Sequence, residues 1–222
     1  VRYFLSKKEA AMTKSLTRIG IVEDNDLLRL SLGTSLGQEN IEIVFSVSTA
    51  LEALELIETA KIDVLIADLH LGETINGIDV SLLWQKAHPD LGVVYLTSYE
   101  DPRLISGGKS PVMADNSVYV TKSSISKIDQ LMQAINSSLE KKGAPQNTRT
   151  GPLAKLTDVQ METLSLLALG HSNKEIARIR GINEESVAIS LNRISKALGL
   201  PAQMDRNQRV HLARVVLRGQ GK

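Results

Sequence analysis

Four short apolar runs each finish on a charged or hydroxyl residue, and that repeated ending constrains the fold of this chain most. Ile19-Gly20-Ile21-Val22 leads into Glu23-Asp24, and Ile62-Asp63-Val64-Leu65-Ile66-Ala67 leads into Asp68. Val93-Val94-Tyr95-Leu96 leads into Thr97, and Val118-Tyr119-Val120-Thr121 leads into Lys122. Runs this short and this rich in β-branched residues read as buried strands. In an open parallel sheet, ligands bind beyond the carboxyl ends of the strands. Three carboxylates, a hydroxyl and a lysine gathered there suit a divalent metal and a phosphoryl group on Asp68. A lone Asp after a strand is more often a turn or cap residue; the ordered conjunction gives the signal its weight.

Helical patterns separate these runs. Asp26–Leu36, Ala50–Ala60, Asp79–Ala87 and Ser126–Leu139 carry apolar residues at helix-like spacing, and Ile41–Val47 reads as a further strand. Such β-α alternation predicts an α/β doubly wound domain with a five-stranded parallel sheet over residues 16–140. One stretch breaks the pattern: Glu100–Asn116, with Pro102, Gly107-Gly108 and Pro111, carries little helical signal. Residues 1–15 are expected to form a poorly ordered extension, with Met12 a possible start, and 141–152 a polar linker. Residues 153–222 then lose all strand signal and predict four short helices. Thr157, Ser172 and Asn183 stand as N-caps, and Gly170, Gly181 and Gly199 as stops.

Charge divides the chain the same way. Residues 1–140 hold 12 Lys and Arg against 19 Asp and Glu, whereas residues 141–222 hold 14 against 6. An acidic domain joined to a basic one implies that the second seeks a polyanion. No run approaches the roughly 18 apolar residues of a membrane span, no signal-peptide core is visible, and cysteine is absent. These features fit a cytoplasmic protein without membrane partners.

In the second domain, Val187, Leu191, Ile194 and Leu198 form an inward stripe on the third helix. The opposite face carries Glu185, Ile189, Asn192 and Lys196, flanked by Ala188 and Arg193. Asn, Lys and Arg suit base edges and phosphates, and Ile suits a thymine methyl. The run Leu166-Leu167-Ala168-Leu169-Gly170-His171-Ser172-Asn173-Lys174-Glu175-Ile176-Ala177, continued by Ile182-Asn183-Glu184-Glu185-Ser186-Val187 and Leu191-Asn192-Arg193-Ile194-Ser195-Lys196-Ala197-Leu198-Gly199, closely resembles LuxR-type four-helix helix-turn-helix domains. The resemblance implies double-stranded DNA as partner and a recognition helix at Glu184–Leu198. It implies contacts from Lys174, Ser186, Ala188, Ile189, Asn192, Arg193 and Lys196, and dimerisation through the fourth helix. Ala188 and Ser190 stand where the family usually has lysine and histidine.

The first domain resembles the receiver domains of two-component response regulators, which have a flavodoxin-like fold. The matched residues are Glu23-Asp24, Asp68, Thr97, Tyr119 and Lys122. Together the two domains have the layout of the NarL/FixJ group. The resemblance implies Mg²⁺ held by Glu23, Asp24, Asp68 and the backbone carbonyl of His70, with Asp68 as phosphoacceptor for a partner histidine kinase. It gives Thr97, Lys122 and Tyr119 the phosphoryl and switch roles, and it implies a homodimer when active. The loop after Asp68 lacks the family's usual Met-Pro, and the helix expected between Thr97 and Tyr119 is poorly signalled. A phosphatase or dehalogenase using Asp68 as nucleophile would commonly carry a second aspartate two residues on; His70 stands there, so an enzyme is not expected. The remaining alternative is a phosphorylation-independent regulator or adaptor with a vestigial acidic site.

Overall fold

A computed structural model describes residues 16–72, 74–125, 127–140, 151–200 and 207–221. The expected extension (1–15) and most of the expected linker lie outside them. Strands β1 (Thr17–Val22), β2 (Ile41–Val47), β3 (Val64–Ala67), β4 (Gly92–Thr97) and β5 (Ser117–Thr121) form one parallel sheet ordered β2-β1-β3-β4-β5. The order reverses at β1, so a crevice opens beyond the carboxyl ends of β1 and β3. Every residue of β3 and β4 is buried, as their unbroken apolar character requires for strands covered on both faces.

Four helices cover the sheet: α1 (Asp26–Leu36), α2 (Ala50–Glu55), α3 (Gly77–Ala87) and α4 (Ile128–Leu139). One layer of the core gathers Leu65, Val93 and Tyr95 with Trp84 and Ala53; the other gathers Ile21, Ile66 and Leu96 with Leu36, Leu131 and Ile135. Trp84 stacks on Phe45 at 5.5 Å and donates its indole N–H to the Ala53 carbonyl at 3.0 Å, tying α3 to α2. The ring of Phe45 lies over Gly20, where any Cβ would meet it at 2.2 Å. The register of β1 and β2 shifts beside that glycine.

Local chemistry accounts for the helix starts. Thr49 and Glu52 form a capping box before α2, and Asn76 and Asp79 form another before α3. Helix α2 is shorter than its apolar pattern implied: it ends at Glu55 and continues as turns through Thr59. Apolar spacing reports which residues face the core; turns can satisfy it as well as helix. Between β4 and β5 the only helical element is a 3-10 turn at Pro102–Leu104, so the weak signal there reflects a real departure from β-α alternation.

The second half folds as α5 (Asp158–Ala168), α6 (Asn173–Arg180), α7 (Glu184–Ala197) and α8 (Gln208–Gly219). Thr157, Ser172 and Asn183 each accept a backbone N–H as N-caps, and Gly170, Gly181 and Gly199 adopt positive φ. Met161, Leu164, Ile176, Val187, Ile194 and Leu212 make its core. Leu104, from the β4–β5 segment, belongs to that same core.

Candidate functional site: an acidic pocket and a helix-turn-helix

Asp68 follows β3 directly and is held by main-chain geometry on both sides. Its N–H donates to the Val22 carbonyl at 2.9 Å, continuing the β1–β3 ladder, and the His70 N–H donates to its Oδ1 at 3.2 Å. Glu23 stands beside it at the end of β1, 1% exposed, and Asp24 is exposed at the mouth. One carboxylate oxygen from each of Glu23, Asp24 and Asp68 lies within 4.8 Å of the other two. Lys122, at the end of β5, places its Nζ 2.7 Å from Asp68 Oδ2 and 2.9 Å from Glu23 Oε1. Four residues spread over a hundred positions thus meet at the carboxyl edge of three strands.

The electrostatics are unbalanced. Desolvation raises the pKa of Glu23, partly offset by its hydrogen bond from Lys122. Desolvation also opposes the charge on Lys122, yet hydrogen bonds to Asp68 and Glu23 outweigh it and hold its pKa above the usual lysine value. Among the described residues one ammonium faces three carboxylates, and Glu23 Oε2 is buried without a hydrogen-bond partner. A buried anionic oxygen left unpaired is costly. An all-oxygen donor set with an orphaned carboxylate oxygen fits a hard divalent cation.

Thr97 is fully buried at the end of β4 and accepts the Tyr99 N–H at 3.2 Å on its Oγ1. Tyr119 is 4% exposed, and its hydroxyl donates to the Tyr99 carbonyl at 2.8 Å. That bond ties the buried Tyr119 side chain to the backbone two residues after Thr97. The Tyr119 hydroxyl pKa is raised by burial and by the nearby Asp101 and Asp68 charges. The ring of His70 is exposed and stands edge-on to Tyr99 with centroids 6.1 Å apart.

Two residues of this region carry no motif in the sequence. A Cβ at Gly77 would lie 2.0 Å from the Asp68 carbonyl oxygen, so the first turn of α3 presses against the backbone of the loop. Arg103 is fully buried and paired with Asp101 at 2.7 Å. A small residue after a polar loop and an arginine among prolines have no periodicity to reveal them.

The second site is the outer face of α7. Val187, Leu191 and Ile194 are buried, while Glu185, Ile189, Asn192, Arg193 and Lys196 are exposed, and Ser186 and Ala188 are half-buried beside them. Lys174 is exposed on α6. Helices α6 and α7 are joined by Gly181, in the left-handed region at φ 65°, followed by Ile182 and the cap Asn183. This is the tight turn of a helix-turn-helix.

Residues 19–136 match the family model described as the response regulator receiver domain. The chain belongs to the response regulators. Residues 154–214 match the model for bacterial regulatory proteins of the LuxR family, so this response regulator pairs a receiver domain with a LuxR-type DNA-binding domain. It is 27% identical to the response regulator protein VraR of Staphylococcus saprophyticus, over 87% of this chain and 94% of that protein. It is 26% identical to the DNA-binding transcriptional activator DevR/DosR of Mycobacterium tuberculosis, over 83% and 89%. Among solved structures, two RcsB dimers bound to two parallel DNAs superpose with a TM-score of 0.58 at 18% identity, covering 91% of this chain and 98% of that one. That likeness confirms the fold: a five-stranded receiver followed by a helical domain. No helix among the described residues is long and apolar enough to cross a membrane.

Proposed function

We propose that this response regulator is a transcription factor whose DNA binding is governed by Mg²⁺-dependent phosphorylation of Asp68 by a histidine kinase. The observation that carries this reading is the position of Lys122 Nζ, within 2.9 Å of both Asp68 and Glu23 at the mouth of the β1/β3 crevice. Glu23, Asp24, Asp68 and the His70 carbonyl would hold Mg²⁺, which when bound neutralises phosphoryl oxygens and orients the donor. An Asp68 carboxylate oxygen attacks the phosphorus, and the bond from phosphorus to the donor's imidazole nitrogen breaks with its electron pair leaving on nitrogen. Lys122 transfers its pairing from Asp68 to the new phosphoryl oxygens. Thr97 Oγ1 accepts from Tyr99 and keeps its own proton to donate to one of them.

On the output side, Asn192 and Arg193 read base edges in the major groove and Ile189 packs on a thymine methyl. Lys174 and Lys196 hold phosphates, with Ser186 and Ala188 lining the same contact surface. Two copies bind paired half-sites as a dimer, as a two-fold operator requires. These events take place in the cytoplasm, where the kinase domain and chromosome meet the protein. Incubation with acetyl phosphate and Mg²⁺, followed by intact-protein mass spectrometry, is expected to add one phosphoryl group to the wild type and none to Asp68→Asn. Selected-oligonucleotide binding with and without beryllofluoride then reads the change in DNA affinity. Equal labelling of Asp68→Asn would sink the assignment of the acceptor.

A further inference from the structure

Helix α7 opens with two acids in its first turn, Glu184 and Glu185. Both are exposed, and among the described residues neither carboxylate has an ion-pair partner. The glutamates of α5 and α6 are paired: Glu162 with Arg180 at 3.5 Å, and Glu175 with Arg178 at 2.7 Å. The positive end of the helix macrodipole favours an acid in the first turn. That effect accounts for either residue equally and is indifferent to which face the acid occupies.

The two acids lie on different faces. Glu184 precedes Val187 by three residues and Leu191 by seven, so it leads the stripe that turns inward and is exposed because the helix starts there. Glu185 leads the opposite stripe, followed at intervals of four, three and four residues by Ile189, Asn192 and Lys196, all exposed. Along α7 that outer stripe offers an acceptor, an apolar side chain, an amide and a cation. Glu185 stands at its amino-terminal end, the part of a recognition helix that meets base edges.

A carboxylate on this stripe opposes binding to any DNA, since it faces phosphates and can only accept hydrogen bonds. The opposition is relieved where a base presents a donor. In the major groove the base donors are the cytosine N4 and adenine N6 amines. Adenine sets its N7 acceptor beside that amine, against a carboxylate, whereas the cytosine edge presents the amine without one. An unpaired acid at this position therefore favours cytosine and penalises the other bases.

We propose that Glu185 is a specificity-determining residue of this regulator, accepting a hydrogen bond from a cytosine amine in each half-site. It lowers affinity for DNA in general and recovers it only where that amine is present, so its contribution is a difference between sites. The proposal rests on the placement of α7 in the major groove given under the proposed function, and adds to it a base that the cationic and amide residues do not select.

The test selects sites from random oligonucleotides with the full chain, beryllofluoride and Mg²⁺, comparing wild type with Glu185→Gln, Glu184→Gln and Asn192→Ala. Glu184→Gln removes the same charge from the same turn but leaves the outer stripe intact, so it controls for the macrodipole and for net charge. Both glutamine substitutions are isosteric at exposed positions, and circular dichroism verifies the fold. Wild type and Glu184→Gln are expected to require cytosine at one position of each half-site. Glu185→Gln is expected to lose about tenfold of that discrimination, the scale of one base contact, and to admit adenine there because an amide also donates. Its affinity for random DNA is expected to rise about threefold, the effect of one unit charge several ångströms from a phosphate in water. Cytosine retained by Glu185→Gln overturns the proposal, and so does its equal loss in both glutamate variants, which places the effect in the helix start. A wild-type site without that cytosine also overturns it, and a change of this site in Asn192→Ala then shows α7 reading DNA without Glu185. If wild type selects no sequence, the placement of α7 and the role of Glu185 fall together.

Discussion

The carbonyl oxygen of Asp68 lies where a Cβ on Gly77 would have to be, 2.0 Å from it. The turn between them brings the start of α3 back under the acidic site, with Asn76 capping the helix through the N–H groups of Ile78 and Asp79. The clash is with backbone, which cannot swing aside as a flexible side chain would. Gly77→Ala is therefore expected to cost about 1–3 kcal/mol, the usual range for overpacking a tight site. Urea unfolding measures the loss. Phosphoryl incorporation should fall with it, because Asp68 is carried on the displaced segment.

Lys122 occupies the carboxylates that a cation would use. Lys122→Met removes an ammonium from a cluster of three acids and leaves Glu23 and Asp68 without it. Mg²⁺ affinity is expected to rise by about tenfold, equivalent to ~1.4 kcal/mol, while stability without Mg²⁺ falls because buried carboxylates are left unpaired. Calorimetric Mg²⁺ titration and melts with and without the ion measure the two effects. Unchanged affinity would show that the lysine and the cation do not compete for these oxygens.

At the opposite edge of the sheet, Arg18 donates to Asp63 from its backbone N–H at 2.9 Å and its guanidinium at 2.8 Å. These contacts hold the Asp63 carboxyl below its ordinary value near 3.8, chiefly through the arginine hydrogen bond. A depressed acid contributes stability that is complete above its unfolded pKa and disappears as pH falls through the folded one. Asp63→Asn should thus lower the denaturation midpoint at neutral pH, with the gap to wild type closing below about pH 4. The gap should also narrow in high salt, since both side chains are partly exposed.

On α7 the exposed residues divide by expected role. Lys196→Ala should weaken all DNA sequences alike and reduce the steepness of the salt dependence by about 0.9 in log–log slope. Asn192→Ala should instead cost about 1–3 kcal/mol at the selected site and little on random DNA. Fluorescence anisotropy on both DNAs across a salt series separates them. Identical behaviour of the two variants would remove the distinction between reading and anchoring.

Most of the acidic site is legible in the sequence alone. Glu23, Asp24, Asp68, Thr97 and Lys122 each end or follow a strand that its own apolar run announces, and parallel strands bring their carboxyl ends to one edge. Helix caps such as Thr157, Ser172 and Asn183 were equally readable, because a cap acts within three residues of itself. Helix length was less so: the apolar pattern of Ala50–Ala60 runs on through turns beyond Glu55.

What local chemistry could not supply was the fate of Glu100–Asn116. By itself the sequence determined that this stretch would not form a regular helix, through its prolines and paired glycines. Only the tertiary structure decided that it would cross to the other domain, bury Arg103 completely and lend Leu104 to a second core. The reason is physical. The Arg103 guanidinium finds its carbonyl partners 50 and 53 residues away, at Leu153 and Leu156, while Asp101 stands two residues away. Periodicity records which side of its own element a residue faces; it holds no record of a partner that another domain provides.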